Sequence, residues 1–94
     1  MQNLPEEEKK RLVNRMARIV GHANKVKTMI MDDYDCNDIL VQMAAVRAAL
    51  TSLSKLILEN HIRDCMSGLY EQETEEEQRK TLEGLMDVMN QFVK

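Results

Sequence analysis

The apolar positions of the chain fall into three runs with helical spacing. Leu12, Met16, Ile19, Ala23, Val26 and Ile30 recur at alternating steps of four and three, which draws one apolar stripe along a helix. Ile39, Met43, Val46, Leu50, Leu53 and Ile57 repeat the pattern, and His61 continues it. Leu82, Leu85, Met86, Met89, Phe92 and Val93 supply a third apolar face. Boundary signals separate the runs. Pro5 ahead of Glu6, Glu7 and Glu8 reads as a helix start, because proline suits the first position and acids suit the positive end of the helix dipole. Asp32, Asp33, Tyr34 and Asp35 read as a turn. A second helix then begins near Cys36, capped by Asp35 or Asn37, and meets no breaker until Gly68, which reads as its C-terminal stop. Thr74 and Glu77 fit a capping box opening a third helix. The acidic run from Glu71 to Glu77 reads as a solvated helix start and loop.

The second helix is expected to run about 30 residues, well beyond the usual length. A chain of 94 residues has a modest core and cannot bury so long a stripe alone, so this helix needs a partner. Composition agrees with an all-α chain. Aromatic residues make up 3 % and there are three Gly, one Pro and no Trp, whereas strands favour aromatic and β-branched residues. Eight Met suit an adaptable helix–helix core. The expected organisation is one helical domain over residues 1–94.

The net charge of −3 argues against nucleic acid, but it hides an asymmetry. Up to residue 30 the chain carries Lys9, Lys10, Arg11, Arg15, Arg18, Lys25 and Lys27 against Glu6, Glu7 and Glu8, so the positive charge is concentrated at one end. Arg11, Arg15, Arg18, His22 and Lys25 form a stripe one residue behind the apolar one. It reads either as a phosphate-neutralising DNA footprint or as a solvated helix face. Arg47 sits among Ala44, Ala45, Val46, Ala48 and Ala49, where it would pair across an interface or extend the basic surface. There is no helix-turn-helix signature and no zinc finger, so DNA binding would depend on the shape and charge of an assembly.

The N-terminus has no charged segment followed by an apolar run, and no stretch approaches the length of a membrane span. The expected setting is the cytoplasm, without a membrane, where thiols stay reduced. Cys36 and Cys65 are then metal-binding, reactive or plainly buried residues sooner than a structural disulfide.

His61 and Cys65 lie four residues apart on one helix and share a face, so they can grip one metal ion. Cys36 lies 29 residues before Cys65, roughly 44 Å away on a continuous helix. One chain cannot bring the three together. Two copies packed antiparallel can, giving two identical sites and burying the long stripe in the same step. Two thiolates and an imidazole are a soft set that suits Cu(I), whereas Zn(II) would usually want a fourth ligand. In the bland alternative both cysteines are small buried hydrophobes and His61 is a helix-end histidine. A nucleophilic Cys–His pair is a further option, but no oxyanion site or substrate cleft is legible. A copper carrier without a DNA role is another.

The segments Arg15–His22, Asp35-Cys36, Val41–Ala49 and Glu59–Cys65 together resemble the copper-sensitive operon repressor family. Its members respond to copper, nickel or cobalt, formaldehyde, or sulfane sulfur. The resemblance covers essentially the whole chain, and the paired cysteines with the intervening histidine are its specific part. It implies a three-helix protomer, an antiparallel four-helix-bundle dimer and a dimer of dimers, acting as a repressor that leaves operator DNA when its inducer binds. It implies that Cys36 of one subunit joins His61 and Cys65 of the other around Cu(I), with another metal as the alternative. It also implies that Arg15, Arg18 and Arg47 face DNA; the charge stripe adds Lys10 and Lys25. The chain departs from the family's copper sensors in three places. Asp35 stands where Tyr is common, Gly84 (beside Glu83) where a Glu orients the histidine, and His22 where Gln is usual. Leu4 near the place of an N-terminal histidine counts against nickel. Cys65 counts against formaldehyde. His61 counts against a persulfide sensor, although the two thiols keep that chemistry available.

Overall fold

The computed structural model describes residues 4–69 and 71–93, with the side chain of Val93 outside the described residues. Three helices follow one another: α1 (Glu6–Met31), α2 (Cys36–Leu69) and α3 (Glu75–Val93). No strand occurs among the described residues. Two compact units divide the chain, one over Leu4–Lys55 and one built on Leu56–Lys94. The first pairs α1 with the start of α2. The second joins the end of α2 to α3.

The boundaries have identifiable causes. Pro5 precedes the first turn with an extended backbone (φ −56°, ψ 148°), and Glu6, Glu7 and Glu8 fill that turn. At the other end of α1, the Tyr34 N–H donates to Met29 O (3.0 Å) and the Asp33 N–H to Ile30 O (3.3 Å). These two bonds form a Schellman motif, and they place Asp33 in the left-handed region at φ 57° where glycine is the usual occupant. Asp35 then caps α2: its Oδ2 accepts from the Asn37 N–H at 3.2 Å, and its carbonyl accepts from the Ile39 N–H. Thr74 Oγ1 accepts from the Glu77 N–H at 3.1 Å, the expected cap of α3.

Gly68 does not stop α2. The helix runs 34 residues, through Gly68 to Leu69, and no glycine has a positive φ. The chain turns by bonds from the Glu71 and Gln72 N–H groups to the carbonyls of Gly68 and Leu69. A second correction concerns length and hydropathy. An 18-residue window of α2 has a mean hydropathy of 1.3, so among the described residues this helix is long and apolar enough to cross a membrane. Its uninterrupted apolar runs are short, but an average tolerates a polar residue among alanines and leucines.

The expected α1 stripe divides into two lines. Leu12, Ile19 and Val26 are buried, but Met16 and Ile30 are 43 % and 56 % exposed and Ala23 is exposed as well. The residues that share the inner line with Leu12, Ile19 and Val26 are Arg15 and His22, half-buried, and Met29, buried. α2 behaves in the same way over the first unit. Ile39, Gln42, Val46, Ala49 and Leu53 turn inward, while Met43 and Leu50 remain exposed. Each helix thus presents one line to its neighbour and leaves a second apolar line open. The open lines flank a groove of about 730 Å³ lined by Ala23, Val26, Ile30, Met43 and Leu50, among others. On α3, Leu85 is buried, but Leu82, Met86, Met89 and Phe92 are exposed.

Candidate metal centre and nucleic-acid interface

Cys36 is the first residue of α2, and its thiol is free and exposed. Cys65 is free and half-buried, about one turn from the end of the same helix. One turn earlier stands His61, also half-buried. The four-residue step brings the His61 Nε2 within 3.7 Å of the Cys65 Sγ. That distance serves a weak thiol–imidazole hydrogen bond, and it also serves a shared metal ion. With bonds of about 2.3 Å to sulfur and about 2.0 Å to nitrogen, as for zinc, ligands at tetrahedral or trigonal angles stand about 3.5–3.7 Å apart. Among the described residues no three His, Cys, Asp or Glu side chains of one chain gather in a group able to hold a metal. His61 and Cys65 stand at a separation that could serve two ligands of one metal ion.

Asp35 and Gly84 are positions at which the chain departs from the pattern that the resemblance implied. Gly84 has open space where a Cβ would stand. The neighbouring Glu83 is turned to solvent, with its carboxylate 3.8 Å from the Arg79 guanidinium. Asp35 is occupied as the α2 cap, a role that tyrosine cannot fill. Tyr34 lines an open cleft of about 530 Å³ with Lys25, Thr28, Met29, Asp38 and Gln42.

The basic residues are distributed over several surfaces. Lys10 and Arg11 are exposed on α1. Arg15 is half-buried, with its Nη2 donating to Ser52 Oγ on α2 at 3.1 Å. Arg15 and Arg18 line a cleft of about 240 Å³ with Ile19, His22 and Ala49. Lys25 lines the adjoining cleft. Arg47 is elsewhere, in the wall of the apolar groove. Five residues separate it from Ser52, about 140° around a helix, so within one chain it does not extend the α1 stripe. Ser52 and Gln42 were not singled out by sequence. Gln42 had a signal, being a polar residue at a position where the inner α2 line is otherwise apolar.

The family model for metal-sensitive transcriptional repressors matches residues 8–91 of this chain. The copper-sensing transcriptional repressor CsoR of Bacillus subtilis (strain 168) is 33 % identical over 87 residues, which is 93 % of this chain and 83 % of that protein. The structure of the copper-sensing repressor CsoR with Cu(I) from Geobacillus thermodenitrificans NG80-2 is 34 % identical. It superposes with a TM-score of 0.87, over 100 % of this chain and 95 % of that one. The nickel-responsive transcriptional regulator InrS is 36 % identical, with a TM-score of 0.73 over 88 % of this chain and 90 % of its own. Both copper and nickel responders are thus similar to this chain, and neither they nor the family are enzymes. The chain belongs to the family of metal-sensitive transcriptional repressors.

Proposed function

We propose that this chain is a cytoplasmic repressor that holds operator DNA and releases it when Cu(I) binds between two copies. Cys36 of one copy and His61 with Cys65 of another supply the ligands. The observation that carries this reading is the convergence of His61 and Cys65 to 3.7 Å, on a helix whose other end presents a free, exposed Cys36. Antiparallel pairing of two α2 helices places the start of one beside the end of the other. The same pairing covers the apolar groove on α1 and α2. The exposed α3 residues offer a further face for a dimer of dimers.

Arg15, Arg18, Lys25, Lys10 and Arg47 are the residues proposed to meet DNA. No inserted recognition helix is needed, because backbone phosphates are read by charge and shape. The soft ligand set favours Cu(I) over Zn(II), and when bound the ion ties two subunits together at fixed ligand angles. The His61 ring meets Cys65 Sγ at 3.7 Å from its Nε2. Metal and DNA are linked, so each weakens the other by the same factor.

Operator release measured in parallel against Cu(I), Ni(II), Zn(II), formaldehyde and persulfide tests the reading. Cu(I) is expected to release the DNA, and DNA that stays bound with the site full refutes it. The two free thiols also support a sulfur-sensing alternative, in which persulfide links Cys36 of one chain to Cys65 of the other. His61→Ala separates the two, since it impairs copper sensing and largely spares sulfur sensing. A copper carrier, unlike a repressor, would have no DNA affinity for Arg15→Ala and Arg18→Ala to remove.

A further inference from the structure

One part of the basic surface is a built cleft. Arg15, Arg18 and His22 lie one turn apart on the same side of α1, and Ile19 and Ala49 complete a recess of about 240 Å³. This volume takes a phosphate group with part of its sugar. The walls are held in place. Ser52 on α2 accepts a hydrogen bond from Arg15 at 3.1 Å, and Gln42 on α2 holds the imidazole through a 2.7 Å bond from His22 Nε2 to its Oε1. No carboxylate is among the residues that line the recess, so the two guanidinium groups are not neutralised from within it.

We propose that this recess is a seat for one DNA backbone phosphate, and that His22 joins it as an imidazolium, so that each engaged seat takes up a proton. The proposal rests on the repressor reading and adds a third phosphate ligand and a pH dependence to it. The Gln42 bond uses the Nε2–H, so in the neutral ring Nδ1 is an acceptor and offers an anion nothing. Protonation turns Nδ1 into a donor while the Gln42 bond survives. The charged groups that share the recess with His22 are Arg15 and Arg18 on α1, and Lys25 on α1 and Asp38 on α2 line a cleft with its partner Gln42. A phosphate placed between the arginines reverses the local sign and raises the proton affinity of His22. Linkage then gives the direction: affinity for DNA is greatest below the titration of free His22 and declines as pH rises through that of the bound form.

The test is fluorescence anisotropy with a duplex selected from a random-sequence pool for binding to the full chain. Affinity is measured from pH 5.5 to 8.0 at fixed ionic strength, for the wild type and for His22→Gln. The wild type is expected to lose affinity by up to tenfold per pH unit for each engaged seat near neutrality, and the variant to give a flat profile over that range. The chain has two histidines, so the His22 ring signal can be followed by NMR. Its titration is expected to move to higher pH when the duplex is added. Equal slopes for the wild type and His22→Gln, with an unmoved His22 titration, overturn the proposal but leave the repressor reading standing. A wild type that binds no duplex at any pH overturns both. A His22 shift produced by inorganic phosphate but not by duplex assigns the recess to a small anion and overturns the proposal as stated.

Discussion

Replacing Met43 and Leu50 together with alanine isolates the groove, because neither side chain is buried in the single chain. Met43 is 49 % and Leu50 43 % exposed, and both line the groove. Full burial of such a side chain contributes about 1.5–3 kcal/mol, so covering the exposed half of each contributes about 1 kcal/mol. A two-fold interface counts each residue twice. The double variant therefore loses about 4 kcal/mol of dimer stability, roughly a thousandfold in Kd. Alanine is the best helix former, so α2 itself should persist. Sedimentation equilibrium of the wild type and the variant, from nanomolar to high micromolar concentration, gives both constants, and far-UV circular dichroism checks the helices. Monomeric variant at concentrations where the wild type is fully assembled supports the groove as the dimer face. Metal affinity should fall with it, since a monomer brings only two of its three proposed ligands to one place. An unchanged dissociation constant in a folded variant would falsify the groove assignment. A wild type that stays monomeric throughout would remove the basis for a shared site.

Mixing a Cys36→Ala chain with a Cys65→Ala chain should restore one complete site per mixed dimer, read as tight Cu(I) binding that neither variant shows alone; no recovery after subunit exchange means the ligands do not come from two copies. Arg15→Ala and Arg18→Ala should each weaken DNA binding across sequences and reduce the salt slope by about one for each phosphate left without its cation. Unchanged slopes would move the interface away from α1. Asp33→Gly should raise stability by up to about 1 kcal/mol, because φ 57° strains an L side chain and not glycine. The thermal midpoint measures this, and a lowered midpoint contradicts the Schellman assignment. Thr74→Ala should cost about 1 kcal/mol by removing the α3 cap, seen in urea unfolding.

Much of the chain was legible from local rules. The starts of all three helices follow from Pro5 with its three glutamates, from Asp35 and from Thr74, because caps are settled by a few neighbouring atoms. The four-residue step from His61 to Cys65 determines that the two share a face, and helical geometry delivers the 3.7 Å approach. The rotation of each helix was not legible. The α1 stripe contains the line of Leu12, Ile19 and Val26 and the line of Met16, Ala23 and Ile30, and both satisfy the same periodicity. Which line meets α2 depends on the residues that α2 offers. Ser52 and Gln42 give Arg15 and His22 hydrogen-bond partners, so those two polar residues turn inward and the second apolar line is left open. Gly68 misleads because a helix end depends on which carbonyls the following turn can satisfy, and the Glu71 and Gln72 amides do so without a left-handed glycine. The sequence by itself determined the helices and the pairing of His61 with Cys65. Only the tertiary structure decided which apolar lines remain open to a second copy and that Arg47 stands apart from Arg15 and Arg18, since periodicity records spacing along a helix and packing selects the side that faces its neighbour.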